Sequence, residues 1–250
     1  MIKSLPIALL AVAGTFVSSS FADIEDTISK TFDIGMTGKI QLSNINGDVS
    51  ISSCDCATVS VEATIKAPDQ EARDRIKIEM DHSGDRLEIT TEYEKRNSKK
   101  NSGTEVSYQL MIPASSNLED ISLVNGDLTI AGIKGQVETN LVNGKFNAQS
   151  LASSIKANLV NGSMDVNYDS LSGVESIELS SVNGKVELLL PSNAEADIDA
   201  STVNGKISND FGISVIKNKY VGSSMSGTLG NGSVNIDIET VNGRIKVNRR

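Results

Sequence analysis

A β-branched residue followed by Asn-Gly recurs seven times in this chain, at Ile45-Asn46-Gly47, Val124-Asn125-Gly126, Val142-Asn143-Gly144, Val160-Asn161-Gly162, Val182-Asn183-Gly184, Val203-Asn204-Gly205 and Val241-Asn242-Gly243. From Asn125 onward the asparagines are spaced by 18, 18, 22 and 21 residues, and then by 38, room for two units or for one with an insertion. A fixed period of about 20 residues marks a stacked array, in which each unit buries its apolar face against its neighbours.

The alternation within a unit shows what the units are made of. Around Asn242, Val234, Ile236 and Ile238 share one strand face, and Ile245 and Val247 share another beyond the glycine. The phase slips by one residue at Val241-Asn242. That slip marks a bend, which suits Asn-Gly because both residues tolerate positive φ. Such a bend is either a hairpin tip in a meander or a corner of a β-solenoid. A hairpin repeat needs a second polar tip, and Ile133 and Leu151 put apolar residues there instead. The expected fold is therefore all-β, a single-stranded β-solenoid or β-helix with Ile133 and Leu151 on a short third side. At about 3.3 Å per residue each 18-residue coil traces about 60 Å, and coils stack about 4.8 Å apart. Equivalent Asn side chains then hydrogen-bond along a column while Val and Leu fill the interior, which explains the repeat without any ligand.

Residues 1–22 read as a separate object. Lys3 supplies a positive start, Ile7 to Val17 form an apolar stretch of eleven residues, and Ser20-Phe21-Ala22 places small residues at positions −3 and −1 of a cleavage site. This is the pattern of a secretory signal peptide, and the stretch falls short of the roughly 20 apolar residues that cross a bilayer. The expected mature chain begins at Asp23 and has no transmembrane segment. Residues 23–113 read as an irregular N-terminal cap, with Pro68 opening a short helix and a strand, turn and strand across His82-Ser83-Gly84-Asp85. A basic tip follows, with Lys95, Arg96, Lys99 and Lys100, read as solubilising or as a contact site. Residues 114–250 carry the regular coils, continuous with the cap.

The chain has 23 Lys plus Arg against 32 Asp plus Glu, a formal charge of −9. Nucleic acids and anionic membranes reward a basic face, so neither is an expected general partner. One His and no Trp leave little for triads, zinc sites or aromatic sugar platforms. Asp165, Asn167 and Asp169 alternate as in a calcium loop, but Ser170 stands where an EF-hand needs Gly and Glu175 falls one residue short of the bidentate position. They read as an outward polar strand, and no catalytic residue, metal or cofactor is expected. Cys54 and Cys56 stand one residue apart. Export favours a disulfide between them, but two residues of extended strand put Cα atoms about 6.5 Å apart, near the limit for bridging. The alternatives are a loop staple, a redox switch and thiols paired with a partner.

The residue after each Asn-Gly runs Asp48, Asp127, Lys145, Ser163, Lys185, Lys206 and Arg244. If these positions stack, Lys185, Lys206 and Arg244 form a positive stripe suited to an anionic partner such as envelope polysaccharide or lipid head groups. The alternative is that carboxylates such as Glu187 neutralise it.

Further runs carry a family likeness. Leu110-Met111-Ile112-Pro113-Ala114 leads to Leu123-Val124-Asn125-Gly126-Asp127-Leu128, and Leu190-Pro191-Ser192-Asn193-Ala194 leads to Ser201-Thr202-Val203-Asn204-Gly205. The chain closes with Leu229-Gly230-Asn231-Gly232-Ser233 through Thr240-Val241-Asn242-Gly243-Arg244. Over nearly all of the mature chain this resembles the bacterial putative-adhesin-like β-helix family, exported domains of unknown function. The resemblance implies a right-handed coil, an envelope-associated protein and no known catalytic residues. The expected function is that of an exported, non-catalytic envelope protein in the periplasm or on the cell surface. It would act as an adhesin-like contact module for an envelope or cell-surface polymer or protein. The alternatives are a structural periplasmic scaffold and, third, a carbohydrate-active β-helix enzyme, which needs converging carboxylates.

Overall fold

The computed structural model describes residues 23–94, 103–217 and 221–250. The expected signal peptide and the Lys95, Arg96, Lys99 and Lys100 tip lie outside the described residues. The chain runs through β1 (Ile24–Asp33), β2 (Lys39–Asn46), β3 (Val49–Cys54), β4 (Thr58–Ala67), α1 (Gln70–Asp74), β5 (Ile76–Ser83), β6 (Arg86–Tyr93), β7 (Glu105–Pro113) and β8 (Asn117–Asn125). It continues through β9 (Leu128–Ala131), β10 (Val137–Gln149), β11 (Ile155–Asn167), β12 (Ser176–Leu190), β13 (Ala196–Asn209), β14 (Val215–Lys217), β15 (Ser223–Leu229) and β16 (Val234–Arg249). The fold is all-β, with α1 the one helix among the described residues. Asp69 caps it by accepting a 2.7 Å bond from the Ala72 amide.

β10, β11 and β12 are parallel rungs in register through their whole length, with Asn143 beside Asn161 and Asn161 beside Asn183. Alternation buries Val137, Thr139 and Leu141 on the first arm of a rung and Phe146 and Ala148 on the second. Between the arms Val142 drops out of the ladder register, and pairing resumes at Asn143. This is the phase slip read from the sequence. Equivalent glycines lie side by side on parallel strands, so each Asn-Gly is a bend within a rung and not the tip of a hairpin. Ile133 and Leu151 are fully buried on the connections between rungs, and the Ala152 amide donates to the Ile133 carbonyl at 3.0 Å. The result is a solenoid-like stack with one continuous apolar core.

The order of rungs departs from chain order at both ends. β2 lies between β6 and β8, and β3 between β7 and β9, so the first Asn-Gly unit is enclosed by later ones. At the other end β16 pairs with β12 on one side and β13 on the other. The 38-residue interval thus holds one unit with an insertion, the β14–β15 hairpin, whose β15 runs antiparallel to β13. The other end is closed by β4, antiparallel to β7, by β1, antiparallel to β4, and by β5, antiparallel to β6.

Few aromatic residues serve this core, and their hydroxyls are shielded. Burial pushes the phenols of Tyr93 and Tyr108 up to about 12 and that of Tyr168 higher still. Tyr108 and Thr91 share a buried hydroxyl bond of 2.6 Å. A phenol raised in the folded state holds its proton after the unfolded chain has lost it, so stability falls as pH rises from about 10, the unfolded phenol value, through the folded ones. Alkaline unfolding followed by circular dichroism should show stability steady below that range and declining above it, with tyrosinate absorbance appearing together with unfolding.

Candidate functional site

The outer side of the bend is where the repeat concentrates its chemistry. Each motif asparagine except Asn46, the first of the column, donates from Nδ2 to the Oδ1 of the preceding rung. The six bonds run Asn125 to Asn46, Asn143 to Asn125, Asn161 to Asn143, Asn183 to Asn161, Asn242 to Asn183 and Asn204 to Asn242, at 2.8–2.9 Å. The amides are consumed along the column, which agrees with a structural role. The ladder also fixes the neighbouring columns, because each rung bends at the same height.

One such column follows the glycines. Its spatial order is Asp48, Asp127, Lys145, Ser163, Lys185, Arg244 and Lys206. Register places Arg244 between Lys185 and Lys206, closer than chain order indicates. Their surroundings differ. Lys185 bonds to Asp165 at 3.2 Å and to Glu187. The bond that Lys185 donates to Glu187 is the main cause raising the Lys185 ammonium above its usual range, and it holds the Glu187 carboxyl low. Arg244 and Lys206 are exposed and make no ion pair among the described residues. The stripe therefore has two open cations beside one neutralised one.

Across the bend, five residues before the asparagine of each of three rungs, lies an acidic column. Glu178, Asp237 and Asp199 stand on adjacent strands, with Glu239 beside them. Burial raises the Asp237 carboxyl, and Glu239, Asp199 and Glu178 raise it further. Arg244 follows Asp237 by seven residues, with the Asn242-Gly243 bend between them, so the acidic and basic columns lie on different arms.

The family described as Toastrack DUF4097 matches residues 33–248. The chain belongs to this family. Its fold is like that of a "putative cell adhesion protein" from Clostridium sporogenes, at 14% identity and a TM-score of 0.51, over 92% of this chain and 100% of that one. A "putative adhesin" from Bacteroides fragilis is 14% identical with a TM-score of 0.40, over 90% of this chain and 97% of its own. A "putative lipid binding protein" from Parabacteroides distasonis is 12% identical with a TM-score of 0.34, over 90% and 97%. No curated protein matches the chain.

The remaining candidates in this Toastrack chain are dispersed. Asp165 faces Lys185, Asp169 pairs with Arg250 and accepts from Ser150 Oγ at 2.8 Å, and the Asn167 Oδ1 is buried without a partner. Among the described residues no three His, Cys, Asp or Glu side chains gather as a metal would need. His82 bonds to the Gly84 carbonyl within its own turn, at 2.9 Å. Cys54 and Cys56 are joined as a disulfide, the chain turning to bring their Cα atoms to 5.3 Å. No described helix is long and apolar enough to cross a membrane.

The sequence places stacked Val residues in the interior, and for the residue before each asparagine the structure corrects this. All seven are Val or Ile, yet they lie outside, between 39 and 48% exposed. They line a groove of about 580 Å³ along the first arm. The signal was present: a β-branched residue fixed next to a polar corner, out of phase with the buried positions.

Proposed function

We propose that this protein is a non-catalytic contact module of the bacterial envelope, an exported right-handed β-solenoid that binds an anionic polymer through Arg244 and Lys206. The observation that carries this reading is the register Lys185–Arg244–Lys206, which sets two exposed cations without ion-pair partners on neighbouring strands. Like charges on adjacent strands repel, and a polyanion lying across them relieves that repulsion. The neighbours named as adhesion proteins agree in kind with a contact role.

Binding of a charged polysaccharide such as polygalacturonate, followed by calorimetry at low salt, tests it. Arg244→Gln with Lys206→Gln should weaken binding about tenfold or more, as expected for two lost charge contacts. Lys185→Gln should change it little, because that cation is already neutralised by Glu187 and Asp165. Equal binding by the double variant and the unaltered protein at low salt would reject the stripe. Protease digestion of intact cells, against digestion only after opening the outer barrier, distinguishes surface from periplasm.

A further inference from the structure

The exposed β-branched column is the one long apolar feature of the outer surface among the described residues. In spatial order it begins at Ile45, passes Val160 as the fourth of seven rungs and ends at Val203. At about 4.8 Å per rung it is about 29 Å long. Two residues before each member lies a valley of small polar side chains, Ser43, Ser122, Asn140, Asn158, Ser180 and Ser201, interrupted only by Glu239. Ridge and valley thus run side by side at one pitch.

We propose that this ridge and valley form the interface of a two-fold dimer of this chain, the ridge of each copy seated in the valley of the other. Three observations select a second copy as the occupant. First, a two-fold contact brings the same surface against itself, and a strip that carries almost no charge meets its own copy without like-charge repulsion. The acidic and basic columns fail that condition, and this strip, with Glu239 as its one charge, meets it. Second, only a partner with the same rung spacing can match seven side chains over the whole length, and another copy has that spacing by construction. Identical side chains meeting at a strand-repeat pitch make dry, interdigitated contacts. Third, the seven residues expose on the order of 400 Å², about half of the roughly 800 Å² each partner gives to a stable interface. The valley and the Asn ladder flank them with the remainder. A single apolar chain is a poorer fit, because the groove lies open to solvent along its length, whereas small-ligand sites enclose most of their ligand. This inference does not rest on the anionic-polymer reading, since the two strips lie on different arms.

Sedimentation equilibrium of the protein from about 1 µM to about 500 µM should show a reversible monomer–dimer transition within the range of weak specific complexes. Added salt should strengthen it by screening the repulsion of two acidic copies. Val142→Lys with Val160→Lys should weaken dimerisation at least about 100-fold by burying unpaired charge, with an unchanged circular dichroism spectrum showing that the outward substitutions leave the fold intact. Only a two-fold axis along the stack seats ridge in valley, and it sets each rung against the same rung of the other copy, so a mixture of Val160→Cys and Asn158→Cys proteins should form a disulfide between copies under mild oxidation, and a mixture of Val160→Cys with Ser43→Cys, whose rungs lie apart in the stack, should not. A protein that stays monomeric throughout overturns the proposal. So does a monomer that takes up palmitate or a neutral hydrophobic dye in a way the lysine pair abolishes, which would assign the groove to an apolar ligand.

Discussion

Gly162→Ala should destabilise the protein by about 3 kcal/mol or more, an effect far out of proportion to one methyl group. Gly162 sits at φ +147°, where an L side chain is strained, and a Cβ there would land on the carbonyl oxygen of Gly144 in the preceding rung. The obstacle is backbone, so no rotamer change relieves it. The rungs must separate, and the Asn143–Asn161 bond of 2.9 Å separates with them. At roughly 2–4 °C per kcal/mol for a chain of this size, the midpoint of thermal unfolding should fall by about 6–12 °C. Ser163→Ala, next to it on the outer face, should stay within about 0.5 kcal/mol. An unchanged midpoint for Gly162→Ala would mean that the glycine column does not set rung spacing.

Ile238→Asp should cost about 4 kcal/mol or more and release a whole end of the stack. Ile238 is fully buried in β16, with Leu179 of β12 and Ala200 of β13 as its in-register neighbours. A carboxylate there has no partner and no water. Because β16 is wedged between β12 and β13, its release also frees β13 and the β14–β15 hairpin that hangs on it. Hydrogen exchange should therefore lose protection in β13, β15 and β16 together while β10 and β11 keep theirs. Loss confined to β16 would contradict the observed rung order.

The wedge explains where the sequence could and could not be read. The Asn-Gly series, the phase slip at the bend and the inward Ile133 and Leu151 all follow from local alternation and from what a corner permits. They point to an all-β stack of parallel rungs. The rung order does not follow. The chain from Pro191 to Glu195 is about as long as the link from Ser150 to Ser154 that joins adjacent rungs β10 and β11, so β13 next to β12 satisfies every local rule. The same holds for the first unit, whose neighbours β6 and β8 lie far along the chain.

The site divides in the same way. Charge at the position after each glycine was legible as a column, since the repeat fixes its face. The separation of Lys185 from Arg244 and Lys206 was not, because it depends on Asp165 and Glu187 meeting one cation and leaving the others open. The outward Val column was misplaced in the interior because exposure of a β-branched residue reverses the usual inference from hydrophobicity to core. By itself the sequence determined the strand period, the bends and the columns, because each is set by the side-chain alternation of one rung. The tertiary structure alone decided which rungs are neighbours, which cations stay unpaired and where an apolar ridge meets solvent, because those depend on contacts between segments that local alternation leaves interchangeable.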